Sequence, residues 1–136
     1  MATGGGYLYA LGDAADRRLW RIDPREGRIV QTYQLGFAPV DVAADSRSIW
    51  AVDQVGDALV RIDRASGQQT ARIPVPGGAS AVTLGAGSVW VSSYLARSVS
   101  RIDPGTGSVQ ATIDVGMSPR DVTYGAGSVW TVGDAG

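Results

Sequence analysis

The chain has 136 residues, one modest domain's worth, and 44% of them are hydrophobic, enough to bury a core. Its net charge is −1, so it carries no electrostatic footprint for nucleic acid or an anionic membrane. It has no histidine, no cysteine and no lysine, so its own residues supply no imidazole base or metal ligand, no disulfide or thiolate, and no Schiff base.

A period of forty residues organises the chain, and a period of that size indicates a repeat architecture. Gly85-Ala86-Gly87-Ser88-Val89-Trp90 returns letter for letter as Gly125-Ala126-Gly127-Ser128-Val129-Trp130. Asp45-Ser46-Arg47-Ser48-Ile49-Trp50 is a looser copy. Arg21-Ile22-Asp23, Arg61-Ile62-Asp63 and Arg101-Ile102-Asp103 keep the same step. Residues 1–35 form a first unit that lacks most of its first strand, with Ala2 and Thr3 matched to Val122 and Thr123. Residues 36–75 and 76–115 are complete units, and 116–136 hold the first two strands of a fourth.

Four strands, A to D, are read in each unit. Asp121-Val122-Thr123-Tyr124 is an A strand, and Gly125-Ala126-Gly127 turns out of it. In the preceding unit Ser88–Ser92 is B, Leu95-Ala96-Arg97 a loop, Val99–Ile102 C and Val109–Val115 D. β-branched and aromatic residues fill these runs, turn residues bound them, and no helical periodicity appears. The C–D turn has a mechanism. In Asp103-Pro104-Gly105-Thr106-Gly107 the Asp accepts a backbone N–H, Pro presets φ, and Gly takes the left-handed conformation. Asp23 with Gly27 repeats the pattern, as does Asp63 with Gly67, the latter without the Pro.

Four short antiparallel strands per forty residues describe a β-propeller blade. The expected fold is therefore all-β: a partial propeller of about three and a half four-stranded blades. That falls short of the usual four to eight. The terminal strands also add up to more than one blade can hold. The count points to a segment of a longer propeller chain, with two chains sharing a six- or seven-bladed ring as the alternative. Either way, apolar faces and open strand edges are expected. The natural partners are then the remaining blades of a parent propeller or a second copy of the chain.

Trp50, Trp90 and Trp130 share one phase in strand B and are expected in the interblade core, where loss of one costs about 3–5 kcal/mol. Trp20, whose counterparts are Val60 and Ser100, is expected to be a variable facing residue. Arg21, Arg61 and Arg101 are read as structural contacts pairing with a carboxylate or carbonyl near the C–D hairpin. Gly85-Ala86-Gly87 joins two strands and opens no helix, so it is no dinucleotide fingerprint. The serines have no base partner. Carboxylates are too few and too scattered for calcium, and no metal or cofactor is expected.

The run GAGSVWVSSY, SVSRIDPGTGSVQATIDVG and SPRDV resembles the YVTN-type repeat, close to streptogramin (virginiamycin B) lyase-like and NHL-like propellers. The resemblance covers the chain from about Tyr7 onward. It implies that strand A lines a central channel, that D lies outside, and that the D–A and B–C loops form one ligand-binding face. Lyases of this type resemble metal-assisted enzymes using histidine and glutamate. This chain has no histidine, and its only glutamate, Glu26, lies in a C–D hairpin on the opposite face, so no catalytic residue carries over.

On that implied face the repeats disagree. Asp41 and Asp121 begin their A strands where the middle unit has Ala81, and Asp53, Gln54, Tyr94 and Arg120 fall in the same rim, along with Asp13. These residues are the candidate site for a protein or small-molecule ligand. The reading is a non-catalytic binding or interaction scaffold within a larger protein. The larger protein is expected to be bacterial, and arginine-only basic usage suggests a GC-rich genome. The alternative is a segment of a streptogramin-lyase-like enzyme whose catalytic residues lie outside these 136 residues. No stretch of about 18 apolar residues is present, residues 1–11 do not read as a signal peptide, and localisation is left open.

Overall fold

The computed structural model describes residues 2–135, and the readings that fall on Met1 and Gly136 lie outside them. Every regular element is a strand. The first sheet holds β1 (Ala2–Gly4), β2 (Tyr7–Leu11), β3 (Arg18–Asp23) and β4 (Arg28–Gln34), and the second β5 (Asp41–Ala44), β6 (Ser48–Asp53), β7 (Ala58–Asp63) and β8 (Gln69–Pro74). The third holds β9 (Ala79–Gly85), β10 (Ser88–Ser93), β11 (Ser98–Ile102) and β12 (Val109–Asp114). β13 (Ser118–Gly125) and β14 (Ser128–Asp134) form a two-stranded sheet. All pairing is antiparallel, and spatial order follows chain order in each sheet.

Local chemistry builds each hairpin. At the C–D turns, Asp23 Oδ1 accepts the N–H of Arg25 (2.8 Å) and Asp103 Oδ1 that of Gly105 (2.7 Å), while Asp63 Oδ2 accepts that of Ser66 (2.9 Å). Gly107 closes its turn at φ 73°, and its N–H donates to the Asp103 carbonyl (2.8 Å). Each C–D pair then slips by one residue, at Arg21/Ile22, Arg61/Ile62 and Arg101/Ile102, as a bulged hairpin requires. The Ala-Gly pairs of the A–B turns hold positive φ at both central residues, 51° and 72° at Ala86-Gly87, which matches the right-handed twist of the strands.

The first sheet departs from the forty-residue spacing by one position. Trp50 faces Arg61 and Trp90 faces Arg101 across B and C, but the residue facing Arg21 is Tyr9, not Ala10. The cause is an extra residue in the first B–C loop. Its left-handed residue Arg17 donates to a carbonyl four positions back (Asp13), whereas Asp57 and Arg97 reach back three, to Gln54 and Tyr94. Ala2 therefore stands opposite Tyr9 as Thr123 stands opposite Trp130, which corrects the match of Ala2 to Val122 by one residue.

Successive sheets pack face to face. The side of the first sheet bearing Tyr9, Leu19 and Tyr33 covers Val42, Ile49, Ala51, Val60 and Ile62 of the second. The opposite side of the second, with Trp50, Val52, Leu59 and Ile73, covers Val82, Val89, Val91 and Ile102 of the third. Ala81, Trp90 and Val99 of the third meet Val122 and Val129 of the two-stranded sheet. The three tryptophans thus share a phase but not an environment. Trp50 is 1% exposed, Trp90 is half-buried, and Trp130 is 56% exposed because no described sheet covers it. Only Trp50 is fully interblade core.

The repeated arginines find a partner that sequence reasoning missed. Arg61 lies 5.7 Å over the Trp50 ring and Arg101 5.8 Å over Trp90. Arg61 Nη1 also donates to the Pro104 carbonyl of the next sheet's hairpin (2.8 Å), and Arg101 Nε donates to Ser88 Oγ (2.9 Å). Among the described residues none of the three pairs with a carboxylate; the Gln31 amide oxygen serves Arg21, the Thr70 hydroxyl and Pro104 carbonyl serve Arg61, the Ser88 hydroxyl serves Arg101, and the ring faces add to them. Trp20 is half-buried in β3.

Candidate binding rim and central channel

The D–A and B–C loops meet at one face because both cap the same ends of their strands. The structure distributes the six rim candidates over three places on and beneath that face.

Gln54, Tyr94 and Arg120 come together with Ser80 around a cleft of about 280 Å³. The Arg120 guanidinium lies 5.1 Å over the Tyr94 ring and pairs with Asp134, with Nη2 at 2.5 Å and Nε at 2.9 Å from Oδ2. The Tyr94 hydroxyl donates to the same oxygen (3.0 Å). These hydrogen bonds, from Arg120 first and Tyr94 second, hold the Asp134 carboxyl below the usual range and raise Arg120 in turn. Asp134 was absent from the candidates. It sits forty residues after Tyr94 and eighty after Gln54, so phase alone could have found it. Ser80 donates to the Pro119 carbonyl (3.0 Å) and ties the starts of β9 and β13 together.

Asp53 is turned inward. It is 5% exposed, its Oδ2 pairs with Arg72 Nη2 (2.6 Å), and its Oδ1 accepts the Gly56 N–H (3.0 Å). It walls a separate cleft of about 410 Å³ between the first and second sheets, with Arg17, Phe37 and Val55. Its contacts serve the loop and strand β8. Asp13 caps its own loop, accepting the N–H groups of Ala15 and Asp16 (both 2.9 Å).

Asp41 and Asp121 line a central cavity of about 420 Å³, whose walls come from β1, β5, β9 and β13, the four A strands. Asp41 Oδ2 accepts the Val82 N–H of the neighbouring sheet (3.0 Å), so it ties two inner strands together. Burial pushes its carboxyl up, opposed by that hydrogen bond and reinforced by the charge of Asp121. Asp121 is exposed, and its Oδ1 accepts only the N–H of Val122 (2.9 Å). Among the described residues, no three or more His, Cys, Asp or Glu gather into one group. Glu26 pairs with Arg28 in the first C–D hairpin, on the far face.

Inner strands around a channel, sheets stacked face on face, and loops gathered at one rim define a β-propeller. This chain is a partial one, of about three and a half blades. No family model matches the chain, and no curated protein matches it. Solved structures do. Hydrazine synthase of Kuenenia stuttgartiensis is similar at a TM-score of 0.84 and 14% identity, over 98% of this chain and 42% of that one. A streptogramin B lyase structure is similar at 0.72 and 22%, over 92% and 44%. The WD40 β-propeller domain of Doa1 is similar at 0.76 and 13%, over 93% and 43%. The chain spans less than half of each, and at these identities the likeness is one of fold.

Proposed function

We propose that this chain is a non-catalytic propeller scaffold of a larger bacterial protein, and that it binds through the rim cleft of Gln54, Ser80, Tyr94 and Arg120. The convergence of those four side chains from three successive blades carries the reading. Asp134 already neutralises Arg120, so the cleft presents hydrogen-bonding groups with little net charge. That chemistry suits a neutral polar ligand, such as an extended peptide segment, more than a phosphate. The test is a heteronuclear NMR screen of peptide and small-molecule libraries against the full chain. Hits should shift the amides of Gln54, Ser80, Tyr94 and Arg120, and Arg120→Ala should weaken them about tenfold, the loss of one charge-assisted contact. Ligands that bind Arg120→Ala as well as the wild type would refute the rim assignment.

A second reading has one observation in its favour, the likeness to a streptogramin B lyase structure. In it the chain supplies blades to such an enzyme, and the catalytic side chains come from outside these residues. A lyase assay on the full-length gene product separates the two readings.

A further inference from the structure

We propose that the cleft between the first and second sheets binds a carboxylate carried on a short branched apolar chain, such as the C-terminus of a peptide ending in leucine or a free branched-chain acid. The site is separate from the cleft of Gln54, Ser80, Tyr94 and Arg120 and does not rest on it. The two sheets that flank it are both four-stranded. Its volume is about 410 Å³, and Ala14, Phe37, Ala38 and Val55 give it apolar walls around the exposed Arg17.

The carboxylate is argued from the loops at the same phase. In the second D–A loop Asp57 Oδ1 accepts the Gly78 N–H (2.9 Å), and in the third Asp114 Oδ1 accepts the Gly116 N–H (2.8 Å). Forty residues before Asp57 stands Arg17, and eighty before Asp114 stands Gln34. The first D–A loop therefore has neither carboxylate, and a cation stands where the second blade has an anion. Gly36, Phe37 and Ala38 line the cleft, and among the described residues their N–H groups find no acceptor. An incoming carboxylate would meet a guanidinium and uncapped N–H groups, in the place that an aspartate fills at the other two loops.

The cleft exists because this seam is not zipped at its top. Between the second and third sheets, Tyr94 N–H donates to the Gly78 carbonyl (2.8 Å) and Ala96 N–H to that of Gly77 (3.1 Å). At the first seam Gln54 and Gly56 hold those phases, and the Gly56 N–H turns back to Asp53 (3.0 Å). Arg17 is only loosely held, its Nη1 lying 3.5 Å from the Gly36 carbonyl, so its donors remain for a ligand. The nearby carboxylates are spent elsewhere: Asp53 pairs with Arg72, and Asp13 caps its own loop. One guanidinium among apolar walls suits a monoanion with an apolar body more than a phosphate, whose second charge would go unpaired.

The probes are N-acetyl-leucine, which mimics a peptide terminus, isocaproate, a free acid, and N-acetyl-leucinamide, which lacks the charge. Each is titrated into the full chain and followed by amide chemical shifts. Both acids should give saturable shifts at Gly36, Phe37, Ala38, Val55 and Gly56, with the amide about tenfold weaker, the scale of one charge-assisted hydrogen bond. Tighter binding of N-acetyl-leucine assigns the site to a peptide terminus, and tighter binding of isocaproate to a free acid. Arg17→Asn, which suits the left-handed backbone at φ 51°, should weaken the acids about tenfold and leave the amide unchanged. Arg17→Asp, which copies the second blade, should cap the loop from within and abolish acid binding without lowering the melting temperature. No saturable shift at millimolar acid would overturn the proposal. So would shifts centred elsewhere, an amide that binds as well as the acids, or acids that bind Arg17→Asn as tightly as the wild type.

Discussion

Trp50, Trp90 and Trp130 carry the same letter at the same phase, yet their replacement should cost different amounts. A buried tryptophan removes about 150–250 Å² from water. At about 25 cal/mol/Å² that is a gross 4–6 kcal/mol, an upper bound because the unfolded chain already buries some of this surface. Trp50 is 1% exposed and so near this limit, but its Nε1–H is buried with no acceptor. An orphaned donor costs about 1–3 kcal/mol, and truncation to Ala removes that penalty along with the ring. Trp50→Ala should then destabilise by about 3 kcal/mol. Trp50→Phe keeps most of the packing and discards the orphan, and should cost about 1 kcal/mol or less. Trp130→Ala, at a largely exposed ring with one hydrogen bond to Gly125, should cost about 1 kcal/mol or less. Urea denaturation followed by far-UV circular dichroism gives the ranking, and hydrogen exchange of β6 and β7 amides gives a local readout. Equal costs for Trp50→Ala and Trp130→Ala would refute the assignment of their environments. A Phe variant as damaged as the Ala variant would refute the role given to the orphaned indole N–H.

Asp41 is raised by burial, so its folded form holds a proton more tightly than its unfolded form. Its contribution is most favourable below the unfolded pKa and is lost as pH rises through the folded value. Asp41→Asn, which keeps an acceptor for Val82 N–H, should therefore gain on the wild type as pH rises above about 4, in urea melts across pH 3–7; a variant that instead loses ground with rising pH contradicts the sign. Asp63 runs the other way, since hydrogen bonds from Ser66 lower it. Its contribution is present above the unfolded pKa and fades as pH falls, so Asp63→Asn should flatten acid denaturation on that side. Gly107→Ala forces a side chain to φ 73° and should cost about 1–2 kcal/mol by thermal melting, against no more than a few tenths for Gly105→Ala in the same turn. Gly4→Ala would put a Cβ 2.0 Å from the Ala44 carbonyl oxygen, so β1 should detach from β5 and its amides should lose exchange protection.

The hairpins were legible because their chemistry is local: Asp103 and Gly107 lie four residues apart, and each acts on backbone within that span. Sheet order followed from the same locality. The extra residue between Asp13 and Arg17 was hidden, because the first blade has no tryptophan at that phase to betray the shift and Tyr9 fills the position unannounced. The ion pair of Asp53 was hidden for a different reason. Its role depends on Arg72, nineteen residues away on another strand, and nothing in the spacing distinguishes a carboxylate facing solvent from one facing a guanidinium. At the rim, phase brought Gln54, Tyr94 and Arg120 to one cleft, but the ion pair that neutralises Arg120 came from Asp134, which carries the phase of Gln54 and Tyr94 with a different letter.

In every sheet the spatial order of strands is their order along the chain, and each sheet touches only the sheets before and after it. Such a molecule behaves as a short one-dimensional array of nearest-neighbour couplings. Its two inner units, β5 to β8 and β9 to β12, are coupled on both sides, while the two ends are coupled on one. Exchange protection should therefore fall outward from β6, β7, β10 and β11, and β14 should open first and most often. Because each pairing closes only a short loop, ordering can begin in any hairpin and spread to its neighbours. An array that orders by neighbour contact is one in which a unit can be added at an end without disturbing those already formed.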